Sequence, residues 1–163
     1  ATKDEENETK MVDQVYQMLS KKGMIVDKFT SFDADSKTKR KNLINNLADN
    51  TIDGLVAIKC LDEGVDIPSV KRAFILSSST NPKEFIQRRG RVLRKFKGKD
   101  FAEIYDFMVV PSGLTSGEDL KFQKKYLENE LKRYRKFAKL ALNYPACEKP
   151  LIDLAAKYNL LHI

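Results

Sequence analysis

The sequence contains few of the side chains that zinc sites and thiol enzymes need. Among 163 residues there are two cysteines, one histidine and no tryptophan. Cys60 and Cys147 are far apart in the sequence and His162 is the penultimate residue, so the spacing of a metal-ligand set is missing. The sequence therefore predicts neither a metal site nor Cys/His catalysis.

Long apolar runs are also missing. No run approaches the ~20 residues of a membrane-spanning helix, and residues 1–6 lack the apolar core of a signal peptide. Apolar residues make up 42% of the chain and charged residues 33%, which suits one ordinary domain with a buried core. We therefore expect a cytoplasmic protein that has no membrane association.

A phosphate-binding loop is the third absence. The pattern G-x-x-x-x-G-K-[S/T] does not occur, and no Asp-Glu pair follows an apolar strand in the arrangement that binds magnesium. The Asp-Glu pair at residues 62–63 lies in a predicted loop instead. Because phosphoryl transfer requires a phosphate cradle and a magnesium ligand, the chain by itself is expected neither to bind ATP tightly nor to hydrolyse it.

Positive charge is what the sequence has in excess. Lysine and arginine number 30 against 23 aspartate and glutamate, which gives a net charge of +7. The basic residues concentrate at 88–99 and 121–139. Such charge favours a polyanionic partner, although many basic domains bind no nucleic acid. For the second run the alternatives are a helix that grips DNA, a helix that docks on the core, and a solvated face.

Over the first 110 residues, helical and strand-like apolar patterns alternate. A helix that carries Met11 to Leu19 is predicted to end at Gly23, and a second helix, beginning near Ser36, has Leu43, Ile44 and Leu47 on its core face. Strands are predicted at 24–29, 55–58, 73–76 and 101–110, and the middle two are expected to be fully buried. The alternation predicts an α/β fold whose sheet is mainly parallel and covered by helices on both faces.

After Gly117 the pattern is purely helical. One apolar stripe is predicted to face the core, and its members are Leu120, Leu127, Leu131, Tyr134, Ala138 and Ala141. Residues 144–145 (Tyr-Pro) are expected to break this helix, and a final short helix is predicted over 151–161.

Residues 82–94 form a predicted helix with an arginine-rich face. At ~100° per residue, Gln87, Arg91 and Arg94 lie in one narrow sector. The opposite, packing side carries Phe85, Ile86, Val92 and Leu93. Two guanidinium groups on one face suit phosphate oxygens and the arginine-finger role, whereas a solvated basic face is the simpler alternative. Gly90 favours the functional reading, since a glycine within a helix costs ~1 kcal/mol and suggests the close approach of another backbone.

Two sequence motifs resemble those of superfamily 2 helicases. Residues 87–94 (QRRGRVLR) resemble motif VI, Q-x-x-G-R-x-x-R, and residues 55–68 (LVAIKCLDEGVDIP) resemble motif V. They occur in the family's order and on the expected helix and strand. The resemblance covers residues 10–110 and implies a RecA-like, three-layer α/β/α domain. We accordingly predict a second RecA-like domain over 1–113 and a helical C-terminal extension over 114–163.

The resemblance also implies the residues of a nucleotide site. Arg91 and Arg94 would be the arginine fingers, and Gln87 would belong to the same nucleotide-facing set. Gly64 and Asp66 would line the nucleotide cleft, with Asp66 near the ribose. The alternative for Asp66 is a loop or capping role. ATP and Mg²⁺ would be held mainly by an N-terminal RecA-like domain that this chain does not contain.

Candidate nucleic-acid contacts follow two strands. Thr30 and Ser31 match the place where such helicases contact the phosphate backbone, and a hydroxyl can bond a phosphate there without reading sequence. Ser78 follows another strand and could serve either cleft. A simple strand-end turn is the alternative for each. Many relatives have threonine at the position of Ile58, and its hydroxyl helps to link the nucleic acid and the nucleotide. Isoleucine has no hydroxyl, which leaves that link in question for this chain.

The motifs are most similar to the restriction-type and DNA-repair-type branch. DEAD-box RNA helicases usually have histidine in place of Gln87, so the resemblance favours DNA, and duplex more than single strands, with restriction or methylation subunits as candidate partners. The polar residues 2–10 stand where relatives have an apolar first strand, which is expected to be missing. The alternatives are a non-catalytic nucleic-acid-binding module, an RNA helicase domain, and an unrelated α/β domain with Arg91 and Arg94 in internal ion pairs.

Overall fold

The computed structural model describes residues 3–30, 37–58, 67–76, 90, 92–111 and 117–162. The elements in these ranges are α1 (Lys3–Lys21), β1 (Val26–Phe29), α2 (Lys37–Ala48), β2 (Gly54–Ala57), β3 (Arg72–Ile75), β4 (Glu103–Asp106), α3 (Glu118–Ala138) and α4 (Tyr144–Lys157). Helices alternate with strands through β2, and only helices are found after β4 among the described residues. The predicted α/β class with a helical C-terminal part is thereby confirmed.

The chain divides into two compact units. One comprises Ala1–Phe74 and Lys83–Tyr105, and the other comprises Ile75–Pro82 and Asp106–Ile163. The second unit thus takes in the ends of β3 and β4 together with the helical extension. The boundary between residues 113 and 114 stays a prediction about domain organisation.

In the first unit, β1 and β2 form a parallel pair joined by a helical crossover. Their register runs from Val26 opposite Gly54 to Phe29 opposite Ala57. Two hydrogen bonds between Ile25 and Asp53 join the segments that lead into the pair. The Ile25 amide donates to Asp53 Oδ2 at 2.7 Å, and the Asp53 amide donates to the Ile25 carbonyl at 2.6 Å. A parallel pair needs a long crossover, and α2 supplies it. This is the βαβ unit that the sequence predicts.

The end of α1 also follows the sequence prediction. Gly23 has φ 84°, its amide donates to the Ser20 carbonyl at 3.0 Å, and the Met24 amide donates to the Leu19 carbonyl at 3.2 Å. Glycine takes this left-handed conformation without the clash that a Cβ would create, which lets the chain satisfy the last helical carbonyls and turn into β1.

The core of the first unit lies between α2, β1 and the end of motif V. Phe29, Leu43 and Ile67 are buried at its centre. The partly buried residues around them are Ile44, Leu47, Leu55 and Val70. The predicted core face of α2 is confirmed. The full burial predicted for β2 is wrong, because its residues are half-buried or exposed and its described sheet partner is β1 alone.

β3 and β4 form the second parallel pair. The Glu103 amide donates to the Lys71 carbonyl at 2.8 Å and the Phe107 amide donates to the Ile75 carbonyl at 3.1 Å, so both strands advance in the same direction. The prediction that β3 is buried on both faces is wrong, because Phe74 is 61% exposed. Alternate residues of a strand point to opposite faces, and one face of β3 is open.

The core of the second unit is formed by α3, α4 and the segments beside them. Its buried residues are Leu127, Leu131, Leu151, Ala155, Tyr158 and Leu160. The Tyr158 hydroxyl donates to the Pro111 carbonyl at 2.6 Å, which satisfies the one polar atom of an otherwise buried ring. The predicted apolar stripe of α3 is confirmed at Leu127 and Leu131, both of which lie in this core.

The start predicted for the last helix is wrong. α4 begins at Tyr144, not near Leu151, and Pro145 lies in its first turn. A proline in a helix interior removes a needed amide and destabilises the helix, but the amides of the first turn have no helical partner in any case. The Tyr-Pro sequence therefore marks the beginning of α4, and α3 has already ended at Ala138.

A buried ion network fixes α3 to the end of β4. Arg133 Nη1 donates to Asp106 Oδ2 at 2.9 Å and Arg133 Nη2 donates to Glu130 Oε2 at 2.8 Å. The three side chains are between 5% and 8% exposed. Burial alone would lower the pKa of Arg133, but the hydrogen bond to Glu130 and the charges of both carboxylates outweigh it and raise that pKa. The guanidinium therefore stays charged inside the unit.

Candidate nucleotide and nucleic-acid site

The strand that opens motif V ends at an edge shared with β1. Phe29 lies opposite Ala57, and the Ile58 amide donates to the Phe29 carbonyl at 3.4 Å. Thr30, which is half-buried, therefore lies beside the point where motif V leaves the sheet. Carboxyl edges of parallel strands are the usual places for ligand contacts in α/β folds. The structure places Thr30 and Ile58 at neighbouring strand ends, and the nucleic-acid contact of Thr30 stays a prediction. Ser31 and Ser78 lie outside the described residues.

The end of motif V is anchored in the hydrophobic core. Ile67 is 7% exposed, and its carbonyl accepts a hydrogen bond from the Val70 amide at 3.2 Å. Pro68 follows directly, so the backbone leaves the predicted nucleotide loop from a fixed point. Gly64 and Asp66 lie outside the described residues, and their roles stay predictions.

The end of motif VI has one buried and one exposed face. Gly90 and Val92 are helical, Val92 is 7% exposed, and Arg94 is exposed. Burial of Val92 agrees with the predicted packing side. Leu93 was predicted on the same side but is 49% exposed. Leu93 and Arg94 both follow the helix, where 100° steps no longer place a side chain, so the predicted face of Arg94 stays a prediction. Gln87 and Arg91 lie outside the described residues.

The glycine of motif VI does not contact a neighbouring backbone within the described part of the chain. A Cβ built on Gly90 would have no atom within 4 Å. The close approach suggested by a glycine in a helix is therefore not made there by this chain, and the surface around Gly90 is open.

Lys99 joins the ends of the two motifs. Its Nζ donates to the Pro68 carbonyl at 3.0 Å and to the Val92 carbonyl at 2.5 Å. The sequence does not predict this role, because Lys99 is there only one positive charge in the basic run 88–99. A signal was present in Gly98, whose φ of 75° turns the chain back immediately before Lys99.

Metal-binding side chains do not cluster in the part of the chain that the structure describes. No group of three or more His, Cys, Asp or Glu residues is placed there to hold an ion. Within the same part, no helix is both long and apolar enough to cross a membrane. What the site offers is an exposed guanidinium at a helix end and a hydroxyl at a sheet edge, both of which suit phosphate oxygens.

A parallel α/β unit that carries motif V at a strand edge, followed in the sequence by motif VI, is typical of the second motor domain of superfamily 2 helicases. Residues 6–96, more than half of the chain, match the family described as the helicase conserved C-terminal domain. The chain belongs to this family.

A relative of known activity matches a shorter stretch. The chain is 34% identical over 59 residues to the DNA 3'-5' translocase XPB2 of Sulfurisphaera tokodaii (strain DSM 16993 / JCM 10545 / NBRC 100140 / 7). The match covers 36% of this chain and 13% of that relative. The chain therefore matches only a small part of the length of this curated relative.

Proposed function

We propose that this chain is the C-terminal motor domain of an ATP-dependent DNA helicase or translocase. Its arginines would reach the phosphates of ATP held by an N-terminal RecA-like domain. The observation that carries the proposal is the end of motif VI, where Val92 is buried and Arg94 is exposed directly beyond the helix. An arginine finger requires an exposed guanidinium, and a buried side chain close to it in the sequence holds the backbone in place.

The residues divide the chemistry between two domains. Arg94 and Arg91 would stabilise the charge that develops as the γ-phosphoryl group leaves, with Gln87 beside them. Gly64 would let the backbone approach the nucleotide, and Asp66 would accept ribose hydroxyls. The described residues contain no acidic cluster for Mg²⁺. The proposal therefore assigns Mg²⁺ and most ATP contacts to the N-terminal domain and gives this chain no ATP hydrolysis of its own.

Duplex DNA is the proposed track. The matched relative is a DNA translocase, and Thr30 lies at a sheet edge where a hydroxyl can bond a phosphate. Ser31 and Ser78 are the further proposed contacts. The motif sequences fit a protein that acts on DNA in the cytoplasm, either in restriction or in repair. In restriction, its partners would be restriction or methylation subunits.

The first test compares tracks. In the full-length parent protein, duplex DNA is expected to stimulate ATP hydrolysis more than single-stranded DNA, and both more than RNA. Steady-state ATPase assays with equal nucleotide concentrations of each polymer measure this. Stimulation by RNA alone would favour the RNA helicase alternative. A protein that binds DNA but hydrolyses no ATP would support the non-catalytic binding module.

The exposed face of α3 carries a row of lysines that supports a polyanionic track. At ~100° per residue these side chains fall within ~60° of one another, on the side away from the buried face. All are exposed, and they are Lys121, Lys125, Lys132, Lys136 and Lys139. Glu128 lies in the same row, and its hydrogen bond from Lys132 lowers the pKa of Glu128. Lys132 is thus already partly neutralised.

Salt dependence measures whether this row touches DNA. Replacing Lys125, Lys136 and Lys139 with glutamine is expected to reduce the slope of log K against log salt by about 0.9 per lost phosphate contact on duplex DNA. Fluorescence anisotropy at several salt concentrations gives the slope. The matched control replaces exposed Lys10, Lys21 and Lys22 with glutamine. An equal change in both triple variants would mean that only net charge matters.

A further inference from the structure

The ends of motifs V and VI are tied by a single side chain that belongs to neither motif. Lys99 Nζ donates to the carbonyl of Pro68, the last residue of motif V, and to the carbonyl of Val92 in motif VI. The donor–acceptor distances are 3.0 Å and 2.5 Å. One ammonium group therefore holds two backbone segments at a set separation.

Each point that Lys99 grips is itself fixed. Pro68 follows Ile67, and the side chain of Ile67 is buried in the core with Phe29. The Val92 side chain is 7% exposed. Each acceptor carbonyl therefore belongs to, or directly follows, a residue whose side chain is buried.

Lys99 is also held at its own backbone. Its amide donates to the Phe96 carbonyl at 3.1 Å, and Phe96 and Lys99 form an antiparallel bridge around Gly98. The left-handed φ of 75° at Gly98 closes this turn. The turn points the lysine stem back toward the helix that precedes it, which explains how a residue seven positions after Val92 reaches the Val92 carbonyl.

The chemistry of the contact suits a helix end. The last carbonyls of a helix lack amide partners and carry the negative end of the helix dipole, so a cation that bonds one of them both satisfies and stabilises it. Hydrogen bonds from an ammonium group are stronger than neutral ones. Lys99 thus caps the end of the helix at Val92 and, through Pro68, sets the position of that helix end relative to motif V.

We propose that Lys99 is a positioning residue for ATP hydrolysis. It acts through the Val92 carbonyl on the end of motif VI, which carries Arg94, and through the Pro68 carbonyl it sets that end relative to the end of motif V. This inference rests on the proposed function. Arginine fingers act on the charge of the transition state, so a small misplacement lowers kcat more than it raises KM.

The test removes the donor without changing the length of the stem. In the full-length parent protein, Lys99→Met is expected to lower the kcat of DNA-stimulated ATP hydrolysis ~10- to 100-fold, the range that a displacement of about 1 Å costs. KM for ATP is expected to stay within ~3-fold, since ATP is bound mainly by the other domain. Lys99→Arg, which keeps the charge and the donors, is expected to retain more kcat than Lys99→Met.

Two comparison variants make the outcome decisive. Lys97→Met makes the same change at an exposed position two residues away and is expected to leave kcat unchanged. Arg91→Ala reports on the proposed function itself. If Arg91→Ala abolishes hydrolysis while folded Lys99→Met keeps wild-type kcat, the positioning role is wrong and the function stands. If neither variant loses activity, the proposed function fails as well.

Folding is separated from positioning by a second variant. If Lys99→Met loses thermal stability but keeps the wild-type kcat per folded molecule, Lys99 only stabilises the helix end, and the proposal is overturned. Should Lys99→Met not fold, Lys99→Gln replaces it, since glutamine keeps one donor group on a shorter stem without charge. A folded Lys99→Gln protein with wild-type kcat and KM would likewise overturn the positioning role.

Discussion

Alanine in place of Arg91 is expected to lower DNA-stimulated ATP hydrolysis by ~10³-fold or more, the usual loss when an arginine finger is removed. Arg91 itself lies outside the described residues. Its role is predicted from the resemblance of residues 87–94 to motif VI. The loss should fall on kcat, because the interaction strengthens as the phosphoryl group leaves.

The measurement is a steady-state ATPase assay on the full-length parent protein with saturating duplex DNA. Lys95→Ala is the matched control, since Lys95 is an exposed cation one residue after Arg94. It should change kcat little. DNA binding by the Arg91 variant is expected to persist. If the Arg91→Ala variant keeps most of the wild-type rate, the assignment of motif VI to the nucleotide site is wrong.

The largest expected effect on stability is at Arg133. Replacing Arg133 with methionine is expected to lower the free energy of unfolding by ~3–5 kcal/mol, the usual cost of breaking a buried ion pair from one side. The variant leaves Asp106 and Glu130 buried without the guanidinium that bonds both. Urea denaturation followed by circular dichroism measures the change.

A neighbouring ion pair provides the control. Lys132 bonds Glu128 one turn earlier on the same helix, but the Lys132 side chain is 55% exposed. Lys132→Met should therefore cost only ~0.3–0.5 kcal/mol. A triple variant in which Arg133, Asp106 and Glu130 all become apolar is expected to recover most of the lost stability. Equal small losses at Arg133 and Lys132 would show that the network contributes little.

Short-range pattern was a reliable guide where a single helix or turn decides the outcome. The core face of α2, with Leu43 at its centre, follows from spacing alone, since a helix brings every third or fourth residue to one side. The stop at Gly23 follows from the backbone freedom of glycine. The parallel pairing of β1 and β2 follows from the alternation of strand and helix patterns.

The same reasoning failed where burial depends on distant segments. An apolar strand can be covered on one face or on two, and the pattern of β3 does not distinguish these; Phe74 is exposed and stacks on Tyr105 at 4.7 Å. Leu93 is exposed because the helix ends just before it. Nor did the Tyr-Pro sequence show which side of it was helical, since proline suits a first turn as well as a break.

The family and the order of its parts can be predicted from the sequence: motif V after a strand pattern, motif VI after motif V, and a helical extension beyond. These features are encoded by residues close together in the chain, so local spacing is enough to reveal them. The contacts that hold the parts in place are seen only in the folded chain. Lys99 reaches back to Pro68, and Arg133 reaches back to Asp106. Each contact joins residues more than 25 positions apart. Their pairing is set by how the chain folds in space, and no local pattern records it.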